Sequence, residues 1–161
     1  MRTDSENYKV WRISKARFAT DAFSGEGARL FSGRWNPASV RMVYTSSSLA
    51  LAAMEFFVHL DPTVAPDDLV SITAEIPANL FIERLEPNQL PSGWRALENE
   101  TLQTIGRDWA LSLRSVALEV PSVAVDGEWN ILLNPAHPGF RKIRTEEPRP
   151  FHYDSRMFGK Q

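Results

Sequence analysis

One acidic residue lies in the middle of the most apolar stretch of the sequence, and it is the first candidate for chemistry. Residues 49–60 are apolar at nearly every position, which predicts a buried helix, and Glu55 lies in its middle. A buried carboxylate is costly unless it is paired or hydrogen-bonded. Glu55 is therefore either half of a structural ion pair or a catalytic carboxylate that faces a cleft. Leu51 and His59 share its stripe on that helix.

An arginine in a glycine-containing segment is the second candidate. Residues 33–37 read Gly-Arg-Trp-Asn-Pro, and the guanidinium of Arg34 offers a planar set of donors suited to phosphate or carboxylate. Trp35 could stack on a ring, although a place in the core is the better expectation for it. Tyr44 lies in a predicted strand just before the Glu55 helix, where a buried structural tyrosine is the default interpretation.

The remaining polar residues give weaker signals. Ser122 lies between two apolar segments, and without a neighbouring histidine and a strained turn it is a turn serine rather than a nucleophile. Asn130 flanks an apolar segment as a turn or cap residue. The three histidines lack metal-ligand spacing, and the absence of cysteine excludes disulfides, thiolate zinc sites and a Cys nucleophile. Neither a dinucleotide-binding glycine fingerprint nor a Walker motif is present.

The elements that must position these residues are mostly short strands. Strands are predicted over residues 9–13, 42–45, 68–77, 80–85, 116–120, 123–125, 129–133 and 151–153, and helices over 49–60 and 101–113. A serine among residues 46–48 can cap the first helix, and Pro62 stops it. Residues 23–36 contain three glycines and predict an irregular loop. The predicted fold class is therefore α+β, a single mixed domain with a small twisted β-sheet flanked by helices.

Composition and charge fit one soluble domain. The chain has 161 residues, of which 43% are hydrophobic, enough to form one core. Its formal net charge of −2 is a poor match to nucleic acid, which demands clustered lysine and arginine. Residues 1–10 have no apolar stretch for a signal peptide, and residues 49–60 are too few to span a bilayer. We expect a cytoplasmic protein without a membrane or direct nucleic-acid partner.

Taken together and in order, these segments resemble the RES domain family, which is named for an arginine, a glutamate and a serine. The matching segments are VWRI at 10–13, SGEGA at 24–28, SGRWN at 32–36, VYTS at 43–46, AAME at 52–55 with His59, LPSGW at 90–94, VPS at 120–122, NILLNPAH at 130–137 and DSR at 154–156. The sequence has Ser32-Gly33 where the family often has two glycines, and Phe56-Phe57 where smaller aliphatics are common. Neither difference changes a proposed catalytic group.

This resemblance implies a fold related to ADP-ribosyltransferases, with residues 1–161 forming a single RES domain whose core spans about 8–156. The catalytic residues that it implies are Arg34, Tyr44, Glu55 and Ser122. The residues that it implies for binding NAD are Arg12, Arg34, Tyr44, Ser122 and Asn130. No metal and no cofactor are implied, because NAD is the substrate.

The function implied by the resemblance is cleavage of the nicotinamide–ribose bond of NAD, by hydrolysis or phosphorolysis, in a toxin that a cognate Xre-type antitoxin neutralises. Glu55 would stabilise the ribosyl cation, Arg34 and Arg12 would hold the phosphates or the nicotinamide end, and Ser122 would position the substrate without attacking it. We expect one cleft lined by Arg34, Tyr44 and Glu55.

Two other functions stay open. One is a mono-ADP-ribosyltransferase that modifies a cellular protein, and the other is a non-enzymatic interaction module. The residues do not separate water, phosphate and protein as the acceptor. They also leave open a homodimer or a larger complex with the antitoxin.

Overall fold

The computed structural model describes residues 6–97 and 99–159, which form a curved mixed sheet flanked by helices. The strands are β1 (Tyr8–Lys15), β2 (Val43–Ser46), β3 (Leu69–Ile76), β4 (Ile82–Arg84), β5 (Ala117–Pro121), β6 (Trp129–Leu133), β7 (Arg144–Thr145) and β8 (Arg149–Phe151). The helices are α1 (Glu26–Leu30), α2 (Leu49–Phe57) and α3 (Glu100–Ser112), with short 3₁₀ helices at Ala16–Asp21, Pro87–Gln89, Pro138–Lys142 and Ser155–Met157. The predicted α+β class is confirmed.

The strands form one sheet in which distant parts of the sequence become neighbours. Their order is β4-β5-β6-β2-β1-β3-β7, and β8 pairs with the other end of β3. Strands β4 and β5 run parallel, whereas the other described pairs are antiparallel. Because β1, β2 and β6 are adjacent, the sheet brings Arg12, Tyr44 and Asn130 into one region.

Alternate residues of the sheet pack into two different apolar clusters. On β6, Leu132 belongs to a cluster with Leu102 and Trp109 of α3. Its neighbours Ile131 and Leu133 belong to a second cluster that contains residues of β1, β2 and β3. This alternation is the two-residue period of a strand that is covered on both faces.

Helix α2 begins as predicted and ends early. Ser48 is its N-cap, since the Oγ atom accepts a hydrogen bond of 3.0 Å from the N–H of Leu51. The α-helix ends at Phe57, and the N–H groups of residues 59 and 60 bond to carbonyls three residues earlier. The last turn is therefore tightened before Pro62, which has no N–H to continue a helix.

The prediction that this helix is buried on all sides is wrong. Leu51 and Ala52 are its buried residues, and Ala52 packs with Ile13 and Leu69 of the sheet. Met54, on the other side, is 38% exposed. Helix α2 contacts the sheet along one side only. Because its exposed side is also apolar, the sequence did not reveal this.

Residues 23–36 are more regular than predicted, because they contain helix α1. Gly25 starts this helix in the left-handed conformation with φ 78°, which glycine adopts without strain. The Asn36 side chain then binds the end of the helix, where its Nδ2 donates to the carbonyls of Ala28 at 2.9 Å and Phe31 at 3.2 Å. A helix of five residues stabilised by a side chain outside it leaves no periodic signal in the sequence.

The predicted strand over residues 123–125 is wrong, because these residues form the connection between β5 and β6. The N–H of Val125 donates to Ser122 Oγ at 3.1 Å, and Ser122 N–H donates to the carbonyl of Glu128 at 2.9 Å. A short apolar segment in a hairpin loop has the composition of a strand, so β-propensity alone could not distinguish the loop from a strand. Strand β7 was not predicted, and β8 ends where the predicted strand 151–153 began.

Helix α3 approaches the backbone of the segment before β2 very closely. A Cβ atom at Gly106 would overlap the carbonyl oxygen of Trp35. One turn earlier, Gln103 donates from Nε2 to the carbonyl of Gly33 at 3.0 Å. Helix α3 therefore fixes the path of residues 33–36, and glycine at position 106 is what permits the contact.

Gly106→Ala tests this packing, with Gly27→Ala in α1 as its matched control. Helix propensity alone would favour alanine by roughly 1 kcal/mol at either position. At position 106 the overlap with Trp35 forces α3 or the segment to move, and overpacking of this kind costs about 1–3 kcal/mol. No atom lies within 4 Å of a Cβ at Gly27 in the described structure. Thermal melting should show a lower Tm for Gly106→Ala and an unchanged or higher Tm for Gly27→Ala; equal values would contradict the close approach.

Candidate active site

The candidate site lies where the central strands β1 and β2 separate. Strand β1 pairs with β3 along its whole length, whereas its described pairing with β2 is one position, Trp11 opposite Ser46. Arg12 spans the gap, because its Nη1 donates a hydrogen bond of 2.8 Å to the carbonyl oxygen of Tyr44. A side chain thus takes the place of backbone pairing at this point of the sheet.

Two cavities share Arg12 and Tyr44 as part of their walls. The carboxylate cavity has a volume of about 190 Å³, and its further lining includes Trp11, Ser46, Glu55, His59 and Asn130. The loop cavity has a volume of about 240 Å³, and its further lining includes Asp21, Gly25, Glu26, Phe31, Ser32 and Gly33. The two cavities therefore lie on either side of the same two residues.

The carboxylate of Glu55 is held by uncharged donors. Its Oε1 accepts hydrogen bonds of 2.6 Å from Ser122 Oγ and 2.7 Å from Asn130 Nδ2. Within residues 6–97 and 99–159, no hydrogen bond reaches Oε2 and no ion pair includes Glu55. The structure therefore does not show Glu55 in the structural ion pair that the sequence had left open. The carboxylate has one fixed oxygen and one that is free for a ligand.

Two further contacts orient the donors to Glu55. Ser46 Oγ donates to Asn130 Oδ1 at 2.7 Å, so the amide nitrogen of Asn130 faces the carboxylate. Ser122 Oγ accepts from the N–H of Val125 at 3.1 Å, which leaves its single proton for Glu55. Ser122 is 2% exposed and does not line the carboxylate cavity, so it contacts Glu55 from behind. Sequence analysis missed Ser46, whose only signal is its register opposite Asn130 across β2 and β6.

Arg12 is a partly buried cation without an anionic partner in the described chain. Its Nε is buried and has no hydrogen-bond partner there, and no described ion pair includes it. Burial lowers the pKa of the guanidinium, and Tyr44 offsets part of that effect. Because arginine stays protonated in proteins, the charge persists, and an uncompensated buried charge is unfavourable. Arg12 is accordingly suited to an anionic ligand.

The hydroxyl of Tyr44 is occupied by the protein itself. It donates to Asn36 Oδ1 at 2.5 Å and accepts from the N–H of Trp35 at 3.1 Å. Burial raises the pKa of the phenol far above its usual value, so the hydroxyl keeps its proton. Asn36 is fully buried and was not among the predicted site residues. Tyr44 thus fixes the segment before β2 through its hydroxyl while its side chain lines both cavities.

The structure places Arg34 beside the site rather than in it. Its Nη1 donates to the carbonyls of Trp94 at 3.3 Å and Ala96 at 2.9 Å, and it lines neither cavity. Of the residues expected in one cleft, Tyr44 and Glu55 line the carboxylate cavity, and Arg12 provides the guanidinium there. The turn at residues 94–96 lies far away in sequence, so its carbonyls could not be foreseen as the partners of Arg34. A catalytic role of Arg34 stays a prediction.

Tyr153 holds helix α2 in place through one hydrogen bond and ring contacts, which we call the Tyr153 clamp. The phenol donates a hydrogen bond to the carbonyl of Ala53, and its ring packs on Phe57 and Phe158 with centroids 5.8 Å and 5.9 Å away. Burial raises the pKa of Tyr153 to about 12, so the phenol remains a donor. Because Ala53 is two residues before Glu55, the clamp contributes to the position of the carboxylate.

The histidines take separate places. His59 is exposed and lines the carboxylate cavity, whereas His137 caps the 3₁₀ helix Pro138–Lys142 by accepting from the N–H of Gly139 at 2.9 Å. Across the described ranges, no three His, Asp or Glu side chains are grouped as metal ligands. No helix in that part of the chain is long and apolar enough to cross a membrane.

Comparisons with known proteins agree on one family. The profile described as the RES domain matches residues 9–154. The chain is 40% identical over 155 residues to the Prs ADP-ribosylating toxin of Sphingobium sp. (strain YBL2), which covers 93% of this chain and 96% of that protein. It is 34% identical over 150 residues to Toxin Res of Photorhabdus laumondii subsp. laumondii, with coverages of 92% and 96%.

A solved structure shares the fold. The crystal structure of the M. tuberculosis MbcT–MbcA toxin–antitoxin complex contains a chain that superimposes with a TM-score of 0.67 and 19% identity, over 92% of this chain and 86% of that chain. At this identity the likeness supports the fold alone. The family profile extends over most of the sequence, and the two relatives match nearly end to end. The protein therefore belongs to the RES domain family.

Proposed function

We propose that the protein cleaves the nicotinamide–ribose bond of NAD and that it is a toxin controlled by an antitoxin. The observation that carries the proposal is the Glu55 carboxylate, which lines a cavity with one oxygen held by Ser122 and Asn130 and no described cationic partner. The relatives support it, because proteins 40% and 34% identical are named as toxins, one of them ADP-ribosylating. ADP-ribosylation also breaks the nicotinamide–ribose bond of NAD.

The chemistry needs a negative charge beside the ribose. When the bond between the ribose carbon and the nicotinamide nitrogen breaks, its electron pair stays on nitrogen and the pyridinium becomes neutral nicotinamide. The ribose gains oxocarbenium character, as the sugar does in glycoside hydrolysis. A preorganised carboxylate at Glu55 opposes that positive charge as it develops. Water or phosphate then adds to the carbon, and the proton of an attacking water passes to solvent.

One carboxylate suffices for this reaction. Most glycosidases use two, since the leaving oxygen must receive a proton from an acid. Nicotinamide leaves as a stable neutral molecule and needs no proton. The described lining of the carboxylate cavity contains one carboxylate, Glu55, which fits a leaving group of that kind.

Arg12 provides the positive charge for the diphosphate of NAD. It lines the same cavity as Glu55, and guanidinium–phosphate hydrogen bonds are among the strong ones in proteins. An anion beside Arg12 offsets the cost of its burial and fixes the substrate with its ribose toward Glu55.

Transfer of ADP-ribose to a protein is the second candidate function. The relative at 40% identity is named the Prs ADP-ribosylating toxin, and that reaction needs the same carboxylate and the same bond cleavage. The two functions differ in the acceptor, which is water or phosphate in one and a protein side chain in the other. The products therefore distinguish them.

Purified protein incubated with NAD, with and without inorganic phosphate, should release nicotinamide. We expect ADP-ribose if water is the acceptor and ADP-ribose 1″-phosphate if phosphate is, both separated by chromatography. The same incubation in cell extract with NAD labelled in its ADP-ribose half tests transfer. A labelled protein band without bulk loss of NAD supports the second function, and the absence of both nicotinamide release and a labelled band in every arm contradicts both.

Glu55→Gln should remove activity and leave the fold. Glutamine keeps an oxygen that can accept from Ser122 and Asn130 but loses the charge. Removal of one preorganised electrostatic group costs about 10²–10³ in rate, whereas substrate binding changes less, because the ribosyl charge develops mainly in the transition state. The melting temperature should hold or rise slightly, since a partly buried carboxylate is costly to keep. NAD turnover and thermal melting on one preparation measure both effects.

Glu147→Gln is the matched control, because Glu147 is exposed and lines neither cavity. It should leave turnover and melting unchanged. Ser122→Ala should slow wild-type enzyme but cause little further loss in Glu55→Gln, since two residues that act through one group are not additive. Near wild-type NAD cleavage by Glu55→Gln would rule out this mechanism.

The partner that we propose is a helix-turn-helix antitoxin of the Xre type that covers the site. The relatives are named as toxins, and beside Glu55 the outer side of α2 exposes Met54 by 38% and Val58 by 57%. These two apolar side chains lie one helical turn apart, and a partner seated over the site would cover them.

Co-expression of the product of an adjacent reading frame tests this partner. We expect growth and cellular NAD to be restored when the toxin is expressed together with it. If no neighbouring product reduces NAD loss or growth inhibition, the paired-toxin proposal fails while the enzymatic one survives.

A further inference from the structure

We propose that the loop cavity is the adenosine subsite of the enzyme and that the ring of Phe31 stacks on the adenine. This inference rests on the proposed NAD cleavage and specifies how the rest of the dinucleotide is held. It assigns one function to each cavity: bond cleavage in the carboxylate cavity and recognition of the distal nucleoside in the loop cavity.

The order of groups in NAD matches the order of features in the site. The scissile bond must lie beside Glu55, which places the nicotinamide ribose in the carboxylate cavity. The diphosphate comes next along the substrate, and Arg12 comes next in the protein, since it lines both cavities. The adenosine follows the diphosphate, and the loop cavity adjoins Arg12.

The sizes of the cavities also favour a shared ligand. The carboxylate cavity holds about 190 Å³ and the loop cavity about 240 Å³, and each is below the roughly 300–1,000 Å³ typical of small-molecule sites. A ligand that extends past Arg12 and Tyr44 into both cavities would occupy a total volume within that range. A ligand made of two nucleosides linked by an anion occupies both and places its charge at the guanidinium.

Phe31 has an anchored backbone, but its aromatic ring is not packed in the core. Its side chain lines the loop cavity and is 74% exposed, so it adds little to the core. Its backbone is fixed, because its carbonyl accepts a 3.2 Å hydrogen bond from the buried amide of Asn36, which also accepts from Tyr44. An exposed ring on an anchored backbone suits stacking with a base.

Polar groups in the loop cavity fit the rest of adenosine. Ser32 offers a hydroxyl, and the carboxylate of Asp21 has no ion-pair partner in the described chain. A carboxylate accepts hydrogen bonds from ribose hydroxyls or an adenine amino group. Glu26 is already engaged by Arg29 and Arg41, so Asp21 is the free acceptor.

The test compares NAD with nicotinamide mononucleotide, which has the scissile bond but lacks adenosine. Phe31→Ala should raise KM for NAD about tenfold, the usual scale for loss of one base–aromatic stack, and leave kcat unchanged. Cleavage of the mononucleotide should not change. The Kd for ADP-ribose, measured by calorimetry without turnover, should rise by the same factor. Phe31→Trp should restore both values, and Phe81→Ala, at another exposed phenylalanine outside both cavities, should have no effect.

The outcomes separate this inference from the function on which it rests. If wild-type protein consumes no NAD, the proposed function fails first. If it consumes NAD but Phe31→Ala binds ADP-ribose as tightly as wild type, the adenosine subsite is overturned and the function stands. Equal losses on NAD and on the mononucleotide also overturn it, because Phe31 would then act on the half that both substrates share.

Discussion

The rest of the site depends on the partly buried guanidinium of Arg12. Two neighbouring strands of a sheet normally satisfy each other's backbone groups, but β1 and β2 separate after one described pair, and Arg12 bonds to the carbonyl of Tyr44 across the gap. Both cavities lie beside this point, since Arg12 and Tyr44 line each of them, and the guanidinium places a positive charge there. A folded protein that keeps such a charge unpaired holds an unfavourable interaction, which a bound anion relieves.

The Glu55 carboxylate differs from Arg12, because neutral hydrogen-bond donors hold it in place. Its donors are a hydroxyl just after β5 and an amide on β6, and both bond to Oε1. An arginine in their place would neutralise the carboxylate and weaken its effect on a cation. Neutral donors fix its geometry and keep its charge, which is the arrangement that electrostatic stabilisation of a transition state needs.

Sequence analysis predicted the parts of the structure that depend on local patterns. The alternation of β3, the apolar segment of β6 and the Ser48 cap are each determined by neighbouring residues, and they appear where predicted. The errors concern long-range contacts. Helix α1 depends on the Asn36 side chain, and the guanidinium of Arg34 donates to two carbonyls some sixty residues away. The Ser46–Asn130 link exists only through strand register, so no spacing in the sequence reveals it.

The Tyr153 clamp on α2 is one of the last contacts of the site to become available during synthesis. Glu55 emerges from the ribosome early, its donors Ser122 and Asn130 much later, and the phenol that holds Ala53 later still. Contacts of such long sequence separation form slowly and only after the intervening chain is made. A nascent chain that has exposed Glu55 therefore still lacks the groups that hold its carboxylate in place. The site is therefore assembled only after the ribosome has made most of the domain.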